Sequence, residues 1–169
     1  MVAGLQEFVS SKGDDVAIID EYGQWTWREA NARANALVDG LRHRGLRDGD
    51  VVAILCGNRH EYLEVLTACT NASWIVVPVN WHFAADEIAY ILENSGARAF
   101  VTEAMYGEKS RRAVDEHDVD IKVMLGGEAE AGFDDYEQLL AASSTEEPAE
   151  AGAGAMMFYT SGTTGRPRA

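Results

Sequence analysis

The chain is poor in cysteine and in positive charge, and it has no long apolar run. Two cysteines in 169 residues cannot build the disulfide framework of a small secreted domain. Cys56 and Cys69 each sit inside an apolar periodic stretch, which points to buried, reduced thiols. Lys and Arg number 14 against 28 Asp and Glu, a formal net charge of -14. Sequence-independent nucleic-acid binding rests on Lys and Arg neutralising phosphates, so this balance argues against it. It argues equally against an anionic membrane surface as a partner. No window approaches the roughly 18 consecutive apolar residues of a membrane span. Met1 to Glu7 has neither the basic region nor the apolar run of a secretory leader. A reducing, cytoplasmic setting is expected by elimination. What the chain does have is a core: 47% of its residues are apolar. Its length suits one domain, or a piece of a larger one, at roughly 100–200 residues per domain.

Val16 to Asp20 and Gln24 to Thr26 read as a hairpin turning at Glu21-Tyr22-Gly23. Thr26 stands three residues before Glu29, the spacing of a capping box. Ala30, Ala34, Leu37 and Leu41 then predict an amphipathic helix over 27–44, stopped by Gly45. Apolar runs at 51–56 and 74–79, with shorter ones at 99–101 and 121–125, read as strands. Between them, 60–72, 85–95 and 104–116 have helical spacing. Strands apolar on both faces and alternating with helices predict an α/β fold, a mostly parallel sheet flanked by helices. From 126 to 150 there is no Lys or Arg and the stretch is rich in Glu and Asp, a solvated face with one short helix over 133–140. The expected division is an α/β subdomain over 1–142, an acidic, small-residue linker over 143–154, and a strand with its loop over 155–169.

The loop carries the chemistry. Gly162 and Gly165 permit positive φ and a close approach of backbone to ligand. Successive N–H groups in such a turn can face one concavity and bind an anion. Thr160, Ser161, Thr163 and Thr164 offer hydroxyls, and Arg166 and Arg168 add positive charge in an acidic chain. No G-K-[ST] follows, so this is not a Walker A loop. Spacing alone supports a phosphate-binding loop.

Tyr159 to Ala169, Y-T-S-G-T-T-G-R-P-R-A, resembles the signature loop of the adenylate-forming superfamily, an aromatic followed by T-S-G-[ST]-T-G-x-P-K-G. Arg168 stands where that family usually has Lys, and Ala169 where it usually has Gly. Trp25-Thr26-Trp27-Arg28-Glu29-Ala30, Gly49 to Ile54, Asn58 and Glu61 also resemble family segments. Pro78 to Phe83 followed by Asp86 to Leu92 is similar to fatty acyl-CoA ligases. The resemblance implies the N-terminal subdomain portion of an ATP-dependent acyl-CoA synthetase. Such an enzyme joins a carboxylate, here a fatty acid, to ATP with release of pyrophosphate, and then passes the acyl group to coenzyme A. ATP, Mg2+ and coenzyme A are the implied cofactors. Thr160, Ser161, Gly162, Thr163, Thr164 and Gly165 are the implied phosphate cradle, with Arg168 as the flanking cation. No catalytic residue and no metal ligand is carried over, because the family's other working parts lie downstream of this loop. The 169 residues alone are therefore expected to be inactive, and to self-associate through surfaces the remainder would cover. Two other readings stay open: a truncated fold serving as an interaction module, and a piece of another adenylate-forming enzyme such as a peptide-synthetase adenylation domain.

Other residues read as structural. His43, His60, His82 and His117 lack metal-ligand spacing. Trp25, Trp27, Trp74 and Trp81 are expected in the core or at an interface rather than as ligand platforms.

Overall fold

The computed structural model describes residues 5–148, 152–161 and 167–168. A first helix, α1 (Leu5–Lys12), leads into the hairpin β1 (Val16–Asp20) and β2 (Gly23–Thr26). The sequence pattern did not announce α1, which is short; it docks by stacking Phe8 on Trp27, with ring centroids 4.7 Å apart. Then follow α2 (Trp27–His43), β3 (Val51–Leu55), α3 (His60–Asn71), β4 (Ile75–Pro78), α4 (Ala85–Ser95) and β5 (Ala97–Glu103). A 3-10 turn at Ala104–Tyr106 enters α5 (Gly107–Glu116), followed by β6 (Ile121–Leu125), β7 (Asp134–Asp135) and α6 (Tyr136–Ala141). Three two-residue strands close the series: β8 (Ala155–Met156), β9 (Thr160–Ser161) and β10 (Pro167–Arg168).

The capping box holds as the spacing required. Thr26 Oγ1 accepts from Glu29 N at 3.2 Å, and Glu29 Oε2 accepts from Thr26 N at 2.8 Å. Two donors that the first helical turn leaves without partners are satisfied in one exchange.

Six strands form one sheet in the order β7-β6-β5-β3-β4-β8, and every neighbouring pair is parallel. Strand side chains alternate between faces. Val52 and Ile54 therefore join Val76, Val101 and Val123 against Leu37, Leu41, Val65 and Leu139 of α2, α3 and α6. Val51, Ala53 and Leu55 join Val77 and Phe100 against Ile88, Ile91 and Val114 of α4 and α5. All five residues of β3 are buried, so a one-residue slip would exchange the two halves of the core. Each Leu or Ile so buried is worth about 1.5–3 kcal/mol.

Cys56 and Cys69 are both buried thiols. Burial pushes the Cys56 thiol up to about 12, and Cys69 higher still. Among the described residues no helix is long and apolar enough to cross a membrane.

The segment before the loop is held more firmly than a solvated linker requires. Ser144 N donates to Asp39 Oδ2 at 2.9 Å, and Asn31 Nδ2 to Glu147 Oε1 at 2.5 Å. Burial works against the charge on Glu147, but donors from Gln6, Asn31 and Asn35 outweigh it and hold the carboxyl below its ordinary value. The polar residues of this stretch match the polar side of α2, which composition alone does not reveal.

Candidate functional site

Thr160 and Arg168 are backbone partners. β9 and β10 pair antiparallel, with Ser161 opposite Pro167 and Thr160 opposite Arg168. The two ends of the glycine- and threonine-rich loop are thus brought side by side. Gly162, Thr163, Thr164 and Gly165, with Arg166 and Ala169, lie outside the described residues.

Backbone hydrogen bonds deliver the chain to this hairpin. Gly152 N donates to Asn71 O at 2.8 Å, Gly154 N to Thr70 O at 3.1 Å, Ala155 N to Trp74 O at 3.1 Å and Met157 N to Val76 O at 2.9 Å. The segment is zipped first to the end of α3 and then to β4. Two glycines permit the close approach. A Cβ on Gly152 would lie 2.4 Å from Ser73 N, and one on Gly154 would lie 2.4 Å from Cys69 O. The strand expected over 155–159 ends at Met156, and Pro78 is the reason. In the parallel register Pro78 stands where an N–H should meet the carbonyl of Met157, and proline has none to donate. The chain then leaves the sheet, exposing Phe158 by 60%. Tyr159 returns to the body, its hydroxyl donating to Asn94 Oδ1 of α4 at 2.8 Å.

A second constellation lies where open α/β sheets often bind ligands, outside the carboxyl ends of the strands at which the order reverses. Here those strands are β3 and β5, and the place is filled by charge. Glu103, at the end of β5, accepts from Gly57 N at 2.9 Å and from Arg59 Nη1 at 3.2 Å. Arg59 also grips Glu61 with two bonds, Nε to Oε2 at 3.0 Å and Nη2 to Oε1 at 2.7 Å. The guanidinium lies 3.8 Å from the ring centroid of Tyr22 in the hairpin turn. Asp20 Oδ2 accepts from His60 N at 2.8 Å and meets His60 Nδ1 at 2.9 Å. Trp25 stacks on the His60 ring with centroids 3.5 Å apart.

This group ties the hairpin to the sheet. Burial disfavours the charge on Asp20, but its hydrogen bonds from His60 and from Tyr22 N outweigh that and keep its pKa below the ordinary value. Glu61 is buried too, and the Arg59 guanidinium holds it low in spite of that. Asp20, His60 and Glu61 bring ligand atoms within 4.8 Å of one another, a spacing a cation can use. Those atoms are already engaged with each other and with Arg59, so the arrangement works as an ion-pair lock. Sequence reasoning did not find it. The visible trace is the charged run Arg59-His60-Glu61 directly after an apolar strand.

His82 stacks on Trp81 with centroids 3.5 Å apart. Lys109 holds this bend through the carbonyls of Trp81 and Phe83. Trp74 is fully buried, whereas Trp81 is 48% exposed.

A family model described as "AMP-binding enzyme" matches residues 5–169. The fatty acid–[acyl-carrier-protein] ligase ScoC of Streptomyces coeruleorubidus is 30% identical over 155 residues, covering 90% of this chain and 28% of that protein. The 3-oxocholest-4-en-26-oate–CoA ligase of Rhodococcus rhodochrous is 30% identical over 168 residues, covering 90% of this chain and 29% of that protein. The crystal structure of the anthranilate CoA ligase AuaEII in complex with anthranoyl-AMP superposes with a TM-score of 0.90 at 21% identity, over 96% of this chain and 32% of that one. At that identity the likeness is one of fold. The chain spans less than a third of the length of these curated relatives, at 28% and 29%.

Proposed function

This chain belongs to the AMP-binding enzyme family, and we propose that it is the ATP-phosphate-gripping part of an acid–thiol ligase of the fatty acyl-CoA synthetase type. In that reaction a carboxylate oxygen attacks the α-phosphorus of ATP, presented as its magnesium complex. The bond from that phosphorus to the bridging oxygen breaks, and pyrophosphate leaves with the electron pair. The sulfur of coenzyme A then attacks the acyl carbon, and AMP departs.

The role of these residues is electrostatic. Charge builds on the leaving pyrophosphate, and donors placed in advance around it lower the barrier. Thr160, Ser161, Thr163 and Thr164 supply hydroxyls, Gly162 and Gly165 let backbone N–H groups face the phosphates, and Arg168 supplies the cation. One observation carries this reading: Arg168 is the backbone partner of Thr160. That pairing closes the loop at its base, with the backbone of the cation-bearing residue next to that of the first hydroxyl-bearing one. The fatty-acid preference is supported by the name of the Streptomyces relative and by Pro78 to Leu92.

We further propose that these 169 residues bind the phosphates without completing the reaction, since the relatives are more than three times as long. Isothermal titration with ATP and with inorganic pyrophosphate tests the first part. Heat of binding is expected for both at millimolar ligand, and silence from both would remove the loop's role. Pyrophosphate exchange with several fatty acids tests the second part. It is expected to match a protein-free blank, and turnover well above that blank would contradict it.

A further inference from the structure

Beyond Met157 the chain has left the sheet, and the loop hairpin begins at Thr160. Among the described residues, the last backbone bond to β4 is the one from Met157 N, and β9 pairs with β10. The hydrogen bond from the Tyr159 hydroxyl to Asn94 Oδ1, at 2.8 Å, therefore stands directly at the loop's base. Both of its ends are anchored. Tyr159 packs, as Met157 does, against the buried cluster that contains Ile88, Ile91 and Val114. Asn94 lies in the last turn of a helix seated by Ile88, Ile91 and Leu92, and Glu87 Oε2 accepts from Ala84 N at 2.9 Å at its other end.

The geometry points to Tyr159 and Asn94 as positioning residues: their hydrogen bond sets the base of the phosphate loop and so governs affinity for a polyphosphate that neither side chain touches. The inference rests on the loop reading given above. The physical reason is entropic. A glycine-rich loop whose base can drift must be ordered when the ligand binds, and that ordering subtracts from affinity. A base fixed beforehand removes part of the cost.

The experiment titrates this chain with inorganic tripolyphosphate, at a temperature where circular dichroism shows each variant fully folded. Tyr159→Phe and Asn94→Leu each remove the bond. Each is expected to weaken binding by about three- to tenfold, the range of one net hydrogen bond. The double variant is expected to lose no more than either single one, because both changes remove the same contact. Asn94→Asp keeps an acceptor and is expected to bind as the unaltered chain does, which a merely structural asparagine would not require. Three results overturn the inference while leaving the loop reading intact: unchanged binding in the single variants, additive losses in the double variant, or a loss in Asn94→Asp as large as in Asn94→Leu. If the unaltered chain does not bind tripolyphosphate, the loop reading falls and this inference falls with it.

Discussion

The Tyr136 hydroxyl donates to Glu64 Oε2 at 2.8 Å, joining side chains 72 positions apart. Both are buried, at 1% and 2% exposure. Glu64 Oε1 accepts from Arg33 Nε at 2.5 Å, so both carboxylate oxygens are occupied. Burial raises the Tyr136 pKa, and the neighbouring Glu64 raises it further, which keeps the phenol protonated and donating. Tyr136→Phe removes the donor and leaves one buried oxygen unmet. The expected loss is about 1–3 kcal/mol. In urea denaturation it appears as a lower midpoint at unchanged slope; an unmoved midpoint would count against the bond.

Arg59 serves two buried carboxylates at once, Glu61 and Glu103, with side chains 4% and 6% exposed. Removing the cation strands both charges. Arg59→Met is expected to cost about 3–5 kcal/mol, the range for breaking a buried pair from one side. Adding Glu103→Gln should recover part of that loss, since one stranded charge is gone. If the double variant is less stable than Arg59→Met, the lock does not work as described.

Acid should loosen the hairpin. Asp20 and Glu61 titrate below their ordinary values in the folded protein. Around pH 4, where such carboxyls titrate in an unfolded chain, the unfolded state then holds more protons than the folded one. Their contribution to stability is fully present above that range and is lost as pH falls through the lower folded values. Thermal midpoints measured between pH 3 and pH 7 should show an acid limb, and Asp20→Asn should flatten it. An equally steep limb in the variant would exclude Asp20 as a cause.

Gly154→Ala places a methyl carbon 2.4 Å from Cys69 O, a backbone atom at the end of α3 that cannot swing aside. The zipper between 152 and 157 must open or shift. The expected cost is about 1–3 kcal/mol, as for other overpacked sites, together with weaker binding of pyrophosphate in the titration proposed above. A variant as stable as the parent would show that the segment approaches α3 less closely.

Much of the fold was legible because its signals are local. The apolar run Val51 to Leu55 reads as a strand covered on both sides, and all five residues are buried. Ala85–Ser95 has the bounds its spacing predicts, and the Thr26–Glu29 box needs only two residues at the right separation. The end of the last sheet strand was less legible. Residues 155–159 carry a strand-like composition, but the proline that stops the ladder lies on the neighbouring strand.

Of the candidate site, the residue types and their order were determined by the sequence itself: a glycine- and hydroxyl-rich loop with two arginines. Backbone freedom and donor chemistry are properties of the residues, whatever surrounds them. Only the tertiary structure decided that Tyr159 is tied to Asn94 and that Arg59 reaches Glu103. Strand order decides which distant residues become neighbours. In a parallel sheet each neighbour is set by a crossover, so its partners stand far apart along the chain and leave no periodic trace.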